Sequence, residues 1–300
     1  MKRISVKKVL VALLLAVCCF SLKAQETVAM QFTAVPVNAS YAGKAGIDFM
    51  DNPLFNADEM SVSLGGMIGS PALSKTTYMD IDADYCLSEN LAVSLTGIYG
   101  IGEEYDIYNV GGYKTGTYRP GQMLIGIGAG YRFMEILAAR INLKYMSENL
   151  APEATYGAFG ADVALTCSVP VSDNGNLTGE LGVFSVGTKV TSASGQKFSI
   201  PSSAGLGAGY TQKFNSKTEA SVMAQADYYF HNAVGAAIAA EAMFADIISI
   251  SAGYRLGAKY VTPSYASAGI GVHFSGIRIN AAYLLGNISN TLALSVGYRF

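Results

Sequence analysis

From about residue 58 onward the chain follows a two-residue rhythm. Leu292, Leu294, Val296, Tyr298 and Phe300 alternate with Ala293, Ser295, Gly297 and Arg299. Successive side chains of a strand point to opposite faces, so one face here is apolar and the other small or polar. Upstream, Ile277, Ile279, Ala281 and Tyr283 oppose Arg278, Asn280 and Ala282, and Ile270, Val272 and Phe274 oppose Gly269, Gly271 and His273. Ile248, Ile250, Ala252, Tyr254 and Leu256 oppose Ser249, Ser251, Gly253 and Arg255; Ile125, Ile127, Ala129, Tyr131 and Phe133 oppose Gly126, Gly128, Gly130 and Arg132. The sequence Gly130-Tyr131-Arg132-Phe133 returns at 297–300 and nearly returns at 253–256. It reads as a strand-end pattern, with Tyr and its apolar partner on the membrane side and Gly and Arg on the inner side.

Segments of this kind predict strands over 58–68, 75–85, 91–101, 121–133, 136–147, 155–169, 176–188, 198–214, 218–230, 234–245, 247–257, 266–274, 277–286 and 291–300. Their lengths suit tilted transmembrane strands of roughly 9–11 residues. A sheet in lipid leaves no edge unpaired, so closure follows. The expected class is all-β: a closed antiparallel transmembrane β-barrel of about 14 strands over 58–300. Connection lengths agree, because outer-membrane barrels have short periplasmic turns and longer external loops. Met134-Glu135, Asn215 to Lys217, Ala245-Asp246 and Ser275-Gly276 are tight, whereas Gly102 to Pro120, 148–154, 189–197 and 258–265 are longer. The turn at Asn232 is the exception. With a periplasmic start the alternation favours an even strand count. The Gly102 to Pro120 loop carries Tyr105, Tyr108, Tyr113 and Tyr118 with Glu103, Glu104 and Asp106, and reads either as a cover or contact surface or as a long solvated loop.

Composition sharpens this. Hydrophobic residues make up 51% and charged residues 14%, with 33 Gly, which fits no ordinary soluble pattern. Met1-Lys2-Arg3, Lys7-Lys8, the apolar run Val9 to Phe20 and the small residue Ala24 predict a signal peptide over 1–24. Its removal takes five basic residues and no acid, leaving 15 basic against 22 acidic residues and a net charge near −7. Nucleic-acid binding through clustered Lys and Arg is thereby disfavoured. Cys86 and Cys167 remain, with a disulfide between them left open. The chain lacks Trp, and Tyr85, Tyr99, Tyr131, Tyr145, Tyr210, Tyr254 and Tyr298 are placed to supply the interfacial girdles instead. Residues 25–57 hold Phe32, Val35, Val37, Ile47, Phe49, Leu54 and Phe55, too apolar for a free tail. The lumen or its mouth offers burial, so 25–57 is expected to be a hatch or plug.

Several stretches together carry a family likeness. "FTAVPVNASYAGKAG", Asn52-Pro53 and "SAGYRL…AGIGVHFSGIRINAAY…GNISNTLALSVGYRF" resemble the FadL superfamily of fourteen-stranded outer-membrane proteins, and most closely its PorV/PorQ-like branch in Bacteroidota. The hatch positions that carry the likeness are Phe32, Pro36, Asn38, Gly43, Gly46, Asn52 and Pro53; Asn38-Ala39-Ser40 stands where the branch has Asp-Ala-Arg. The resemblance implies one of two functions. The first is a non-enzymatic scaffold or cargo carrier in type IX secretion, with secretion-system components or cargo C-terminal domains as partners. The alternative is a transporter that passes a hydrophobic small molecule inward through a hatch and a gap in the wall. Outer-membrane location and lipid contact follow from either.

Candidate chemistry is sparse. Asp80, Asp82 and Asp84 alternate along one strand, so all three face the lumen; they suit either a cation held by oxygen ligands or ion pairs with inward Arg132, Arg140, Lys144, Arg255, Arg278 or Arg299, and pairing is preferred. His273 also faces inward. Asp227, His231 and His273 have no motif-placed nucleophile nearby, "GIGAG" is strand glycine rather than a phosphate loop, and neither a cofactor, a metal nor catalysis is expected. Tyr298 and the final Phe300, following alternating apolar residues, look like the signal read by the barrel-assembly machinery.

Overall fold

The computed structural model describes residues 28–55, 60–69, 76–152, 154–192, 195–286 and 289–300; the expected signal peptide lies outside them. Fourteen strands close into an antiparallel barrel. They are β1 (Met60–Ile68), β2 (Thr77–Ser88), β3 (Leu91–Ile101), β6 (Gly121–Met134), β7 (Leu137–Ala151), β8 (Ala154–Ser172), β9 (Gly175–Gly187), β12 (Ser203–Asn215), β13 (Thr218–Tyr229), β14 (Ala233–Phe244), β15 (Ile248–Leu256), β16 (Tyr265–Phe274), β17 (Ile277–Gly286) and β18 (Thr291–Arg299). Two hairpins stand apart in the longer connections: β4 (Tyr105–Tyr108) with β5 (Lys114–Tyr118), and β10 (Val190–Thr191) with β11 (Lys197–Phe198). Each barrel strand pairs with its chain neighbours in the ring, and β1 meets β18 to close it, from Ser61↔Arg299 to Ile68↔Leu292.

The strand expected over 198–214 instead begins at Ser203. Lys197 and Phe198 are taken by β10, and Pro201, which lacks an N–H, separates them from the wall. The Gly102 to Pro120 connection folds into the β4–β5 hairpin rather than lying open. It is tied to the end of β7 by Tyr105 Oη donating to Leu150 O at 2.9 Å and by a contact between Tyr118 and Asn149.

Parity decides the faces. Ile238 and Leu294 are 62% and 52% exposed, whereas their neighbours Ala239 and Ala293 are 8% and 0% exposed. An exterior of this kind belongs in hydrocarbon, and the barrel is a bacterial outer-membrane barrel. Tyr131, Tyr254 and Tyr298 lie outside, and Arg255 is buried inside. Phe300 continues the outer row: its ring is 4.5 Å from that of Tyr298, and its N–H reaches Met60 O. Neither Cys86 nor Cys167 is in a disulfide. Cys86 faces inward against Pro53 and Cys167 sits on the outward parity of β8, so the disulfide left open by the sequence is not formed.

Residues 28–55 lie within the ring and run from its long-connection end to its short-turn end. At the first end Val28 bridges to Ser199, and the Met30 N–H donates to Glu148 at 3.0 Å. Met30, Phe32, Val35 and Val37 join inward Met67, Tyr78, Leu124, Met146 and Leu284 in one apolar cluster, which Val190 and Ile200 complete from the loop. At the other end Leu54 packs with Ala92 and Ala138. Between them lies the short helix α1 (Ala39–Ala42).

Candidate functional site: the lumenal segment and the cavity beside it

The segment is held by polar side chains on both sides of the contact. Asn38 caps α1, its Oδ1 accepting from the Ser40 N–H at 3.1 Å. Its amide Nδ2 donates outward to Ser63 Oγ at 3.0 Å and Asp80 Oδ2 at 3.1 Å, and it reaches Asp82 at 3.5 Å. One residue thus satisfies a helix end and two wall carboxylates. Asn38→Ala is expected to cost about 1–2 kcal/mol, measured by urea unfolding in lipid vesicles. Asn38→Ser should recover the capping part only, because it cannot donate to both Asp80 and Asp82.

Beyond α1 the backbone touches the wall directly. A Cβ on Gly43 would lie 3.0 Å from Gly269 Cα, and one on Gly269 would lie 3.1 Å from Gly43 Cα. Two side-chain-free positions are needed for that approach. Ser267 Oγ donates to Gly43 O at 3.1 Å and accepts from the Ala45 N–H at 3.1 Å, while Arg255 Nε donates to Ala45 O at 2.7 Å. Gly46 follows at φ +79, a left-handed conformation that glycine adopts without strain. Lys44, with a side chain only 2% exposed, pairs with Asp51 at 2.6 Å and lies 3.7 Å from Glu241 of β14. Burial opposes the ammonium charge, but Asp51 and then Glu241 outweigh it, and the pKa lies above the ordinary lysine range. Lower down, Phe49 packs on Gly207, Met50 on Gly209 and Leu54 on Gly130. Asn52 donates to Thr166 Oγ1 at 3.1 Å and accepts from the Leu54 N–H at 3.0 Å.

Asp80, Asp82 and Asp84 face the lumen on β2, where Arg140 and Arg299, two of the expected bases, lie near enough to act on the charge of Asp84. Asp80 and Asp82 meet Asn38, and Asp84 accepts from Ser61 Oγ at 3.4 Å. The close ion pairs are with other acids: Arg140 with Glu180 at 3.1 Å, Lys144 with Asp162 at 2.6 Å and Arg255 with Asp227 at 3.5 Å. These partners stand on the next strand or the next but one, within shorter reach than β2. Arg132 Nη1 donates to Leu54 O at 3.0 Å. His273 and Arg278 face each other across β16 and β17, and Arg299 lies opposite Ser61, which also opposes Asp84. His231 sits in a connection with its Nε2 3.2 Å from Lys259 O.

Sequence reasoning missed Lys44, Asp51, Glu148, Asp162, Glu180 and Glu241. The wall members of that set lie on the inward parity of their strands, the signal that would have found them. Asp162 also repairs the wall: β9 carries a bulge at Phe184 and Ser185, Ser185 has φ 51, and its N–H donates to Asp162 Oδ1 at 2.7 Å.

Between the segment and the inner faces of β2, β3, β6, β7, β8, β9, β12, β13 and β15 lies a cavity of about 380 Å³. Asp82, Asp84, Arg140, Asn142, Lys144 and Asp162 line it with Asp48 of the segment. Its size falls in the range of small-molecule sites.

No protein-family profile matches the sequence, and no curated protein matches it. Solved structures do. A deltaS2S3 mutant of TodX, described as a monoaromatic hydrocarbon channel, has a TM-score of 0.59 at 13% identity, covering 87% of this chain and 98% of its own. CymD, also a monoaromatic hydrocarbon channel, scores 0.55 at 13% identity over 89% and 97%. A FadL homologue from Pseudomonas aeruginosa scores 0.52 at 10% identity over 92% and 100%. The chain therefore has the fold of FadL-type outer-membrane channels. At these identities the likeness establishes architecture, and function has to be argued from the interior.

Proposed function

We propose that the protein is a non-enzymatic outer-membrane channel for small, predominantly hydrophobic molecules. One observation carries this reading: residues 28–55 occupy the bore, and their apolar half packs across the long-connection end beside a chamber of small-molecule size. A general diffusion pore needs a wide polar lumen, whereas an apolar entrance favours molecules that gain by leaving water. The likeness to monoaromatic hydrocarbon channels points the same way.

The type IX scaffold reading is the weaker one. It rests on sequence likeness in the hatch and the last third of the chain, whereas TodX and CymD are described as channels and a toluene transporter. The test is uptake of radiolabelled toluene by cells that carry the protein in an outer membrane lacking their own hydrocarbon channels. Uptake several-fold above cells carrying an empty vector supports the channel. Uptake at the empty-vector level, together with crosslinking to a secretion component, supports the scaffold.

A further inference from the structure

The lining of the chamber is graded along the barrel axis. Ile98 and Leu124 face each other across β3 and β6. The next inward pair toward the short-turn end is Thr96 and Gly126, and it is flanked by Asp82 on β2 and Lys144 on β7. On β9 Phe184 stands nearer the long-connection end than Glu180, and on β13 Tyr229 stands nearer it than Asp227. The segment repeats the order, with Val35 and Pro36 ahead of Asp48 on its run toward the short turns. The Phe184 ring rests against Gly182 and Gly205, a cross-strand pair: Cβ atoms added there would lie 2.7 Å from its Cζ and 2.9 Å from its Cε2. An apolar tier thus adjoins a charged one inside a single cavity.

The charged tier carries surplus acid. Seven carboxylates and three bases line the cavity, and Lys44 adds a fourth base by pairing with Asp51. Arg140, Lys144 and Arg255 are each already paired. Among the described residues no base forms an ion pair with Asp48 or Asp82, although Asp48 lies within Coulombic reach of Arg140. Asp48 is exposed to the cavity and makes no capping bond to the 3-10 turn that follows it.

We propose that the chamber takes an amphiphile: an apolar body against the Phe184 and Ile98 tier and one ammonium group among the carboxylates below, so that the head group leads toward the short-turn end. This rests on the channel reading and narrows its solute class. The body gains by leaving water against Phe184, Ile98 and Leu124. An ammonium group finds carboxylates that no base has taken and forms charge-assisted hydrogen bonds with them. A carboxylate head group finds every lining base engaged and is repelled by like charge.

The experiment is equilibrium dialysis of the full chain in nonionic detergent against radiolabelled benzylamine and benzoate at pH 7, two solutes with the same ring and opposite charge, each corrected for a detergent blank. Benzylamine should bind about tenfold more tightly than benzoate. Asp48→Asn with Asp82→Asn should bring the two within about threefold while the barrel keeps its folded band on unheated gels. Phe184→Ala should weaken both solutes alike and leave their ratio unchanged, because the ring belongs to the tier they share. Equal or tighter binding of benzoate overturns the proposal, as does a ratio that the paired Asn substitutions leave intact. If the double variant does not fold, Asp48→Asn alone, which has no capping bond to lose, should still lower the ratio several-fold, and an unchanged ratio overturns the proposal. Toluene uptake at the empty-vector level with the binding ratio intact defeats the channel reading and supports the head-group choice; toluene uptake with no preference between the two solutes does the reverse.

Discussion

Arg255→Met is expected to destabilise the protein by about 3–5 kcal/mol, the cost of breaking a buried ion pair by deleting one member. The guanidinium is 6% exposed and its partner Asp227 is 4% exposed. Methionine fills much of the stem volume but removes the donor to Ala45 O and leaves the Asp227 carboxylate with only the Gln225 amide, at 2.9 and 3.1 Å. Urea unfolding in lipid vesicles would register the loss. Asp227→Asn added to Arg255→Met should return part of it, since the orphaned charge is gone and only the segment's lost bond remains. A loss under about 1 kcal/mol for Arg255→Met would show that the pair and the Ala45 bond contribute little net stability.

Lys44→Met should cost about 2–3 kcal/mol, below the usual range for a buried pair, because Asp51 and Glu241 are 35% and 28% exposed and water screens them. The visible consequence should be a segment more open to protease while the barrel still migrates as a folded band on unheated gels. The pH dependence follows from the direction of the shift. With a folded pKa above the unfolded value, the contribution of Lys44 is fully present below about pH 10 and disappears as pH rises through the folded pKa. The stability gap between wild type and Lys44→Met should therefore stay flat from roughly pH 6 to 9 and narrow only in stronger alkali. A gap that closed below pH 9 would mean that the ammonium is not held by these carboxylates.

The barrel was legible because its signal is repeated in every strand. The alternation of Ile279 with Asn280 or of Val296 with Gly297 sets the face of each residue, and face is what lipid and lumen select. Strand bounds followed to within a few residues except near Pro201, where a second hairpin competed for Lys197 and Phe198. The site was less legible for a physical reason. Parity tells that Asp80 and Arg255 both point inward, but not how far apart they lie around the ring or what stands between them. That depends on the shear of the closed sheet and on the segment filling it. Asn38 lies 42 residues from Asp80 in the chain yet bonds it, and no local pattern announces such a pairing. Lys44 stands in a Gly-Ala stretch where no local pattern marks it as buried, and only the closed barrel surrounds it.

The seam between β1 and β18 also sets an order of events in folding. Most ring neighbours are joined by one hairpin, so those pairings are local and fast to form. The seam instead brings together Ser61 and Arg299, about 240 residues apart, and carries the largest loop-closure cost of the ring. The segment precedes β1, and α1 packs on β1, β16, β17 and β18, across that seam from within. If the curled sheet gathers the segment before its two edges meet, α1 acts as an internal splint that shortens the search for the last pairing. Chains lacking α1 should accumulate as open, unclosed sheets at the membrane surface, visible as a slow phase in refolding into vesicles.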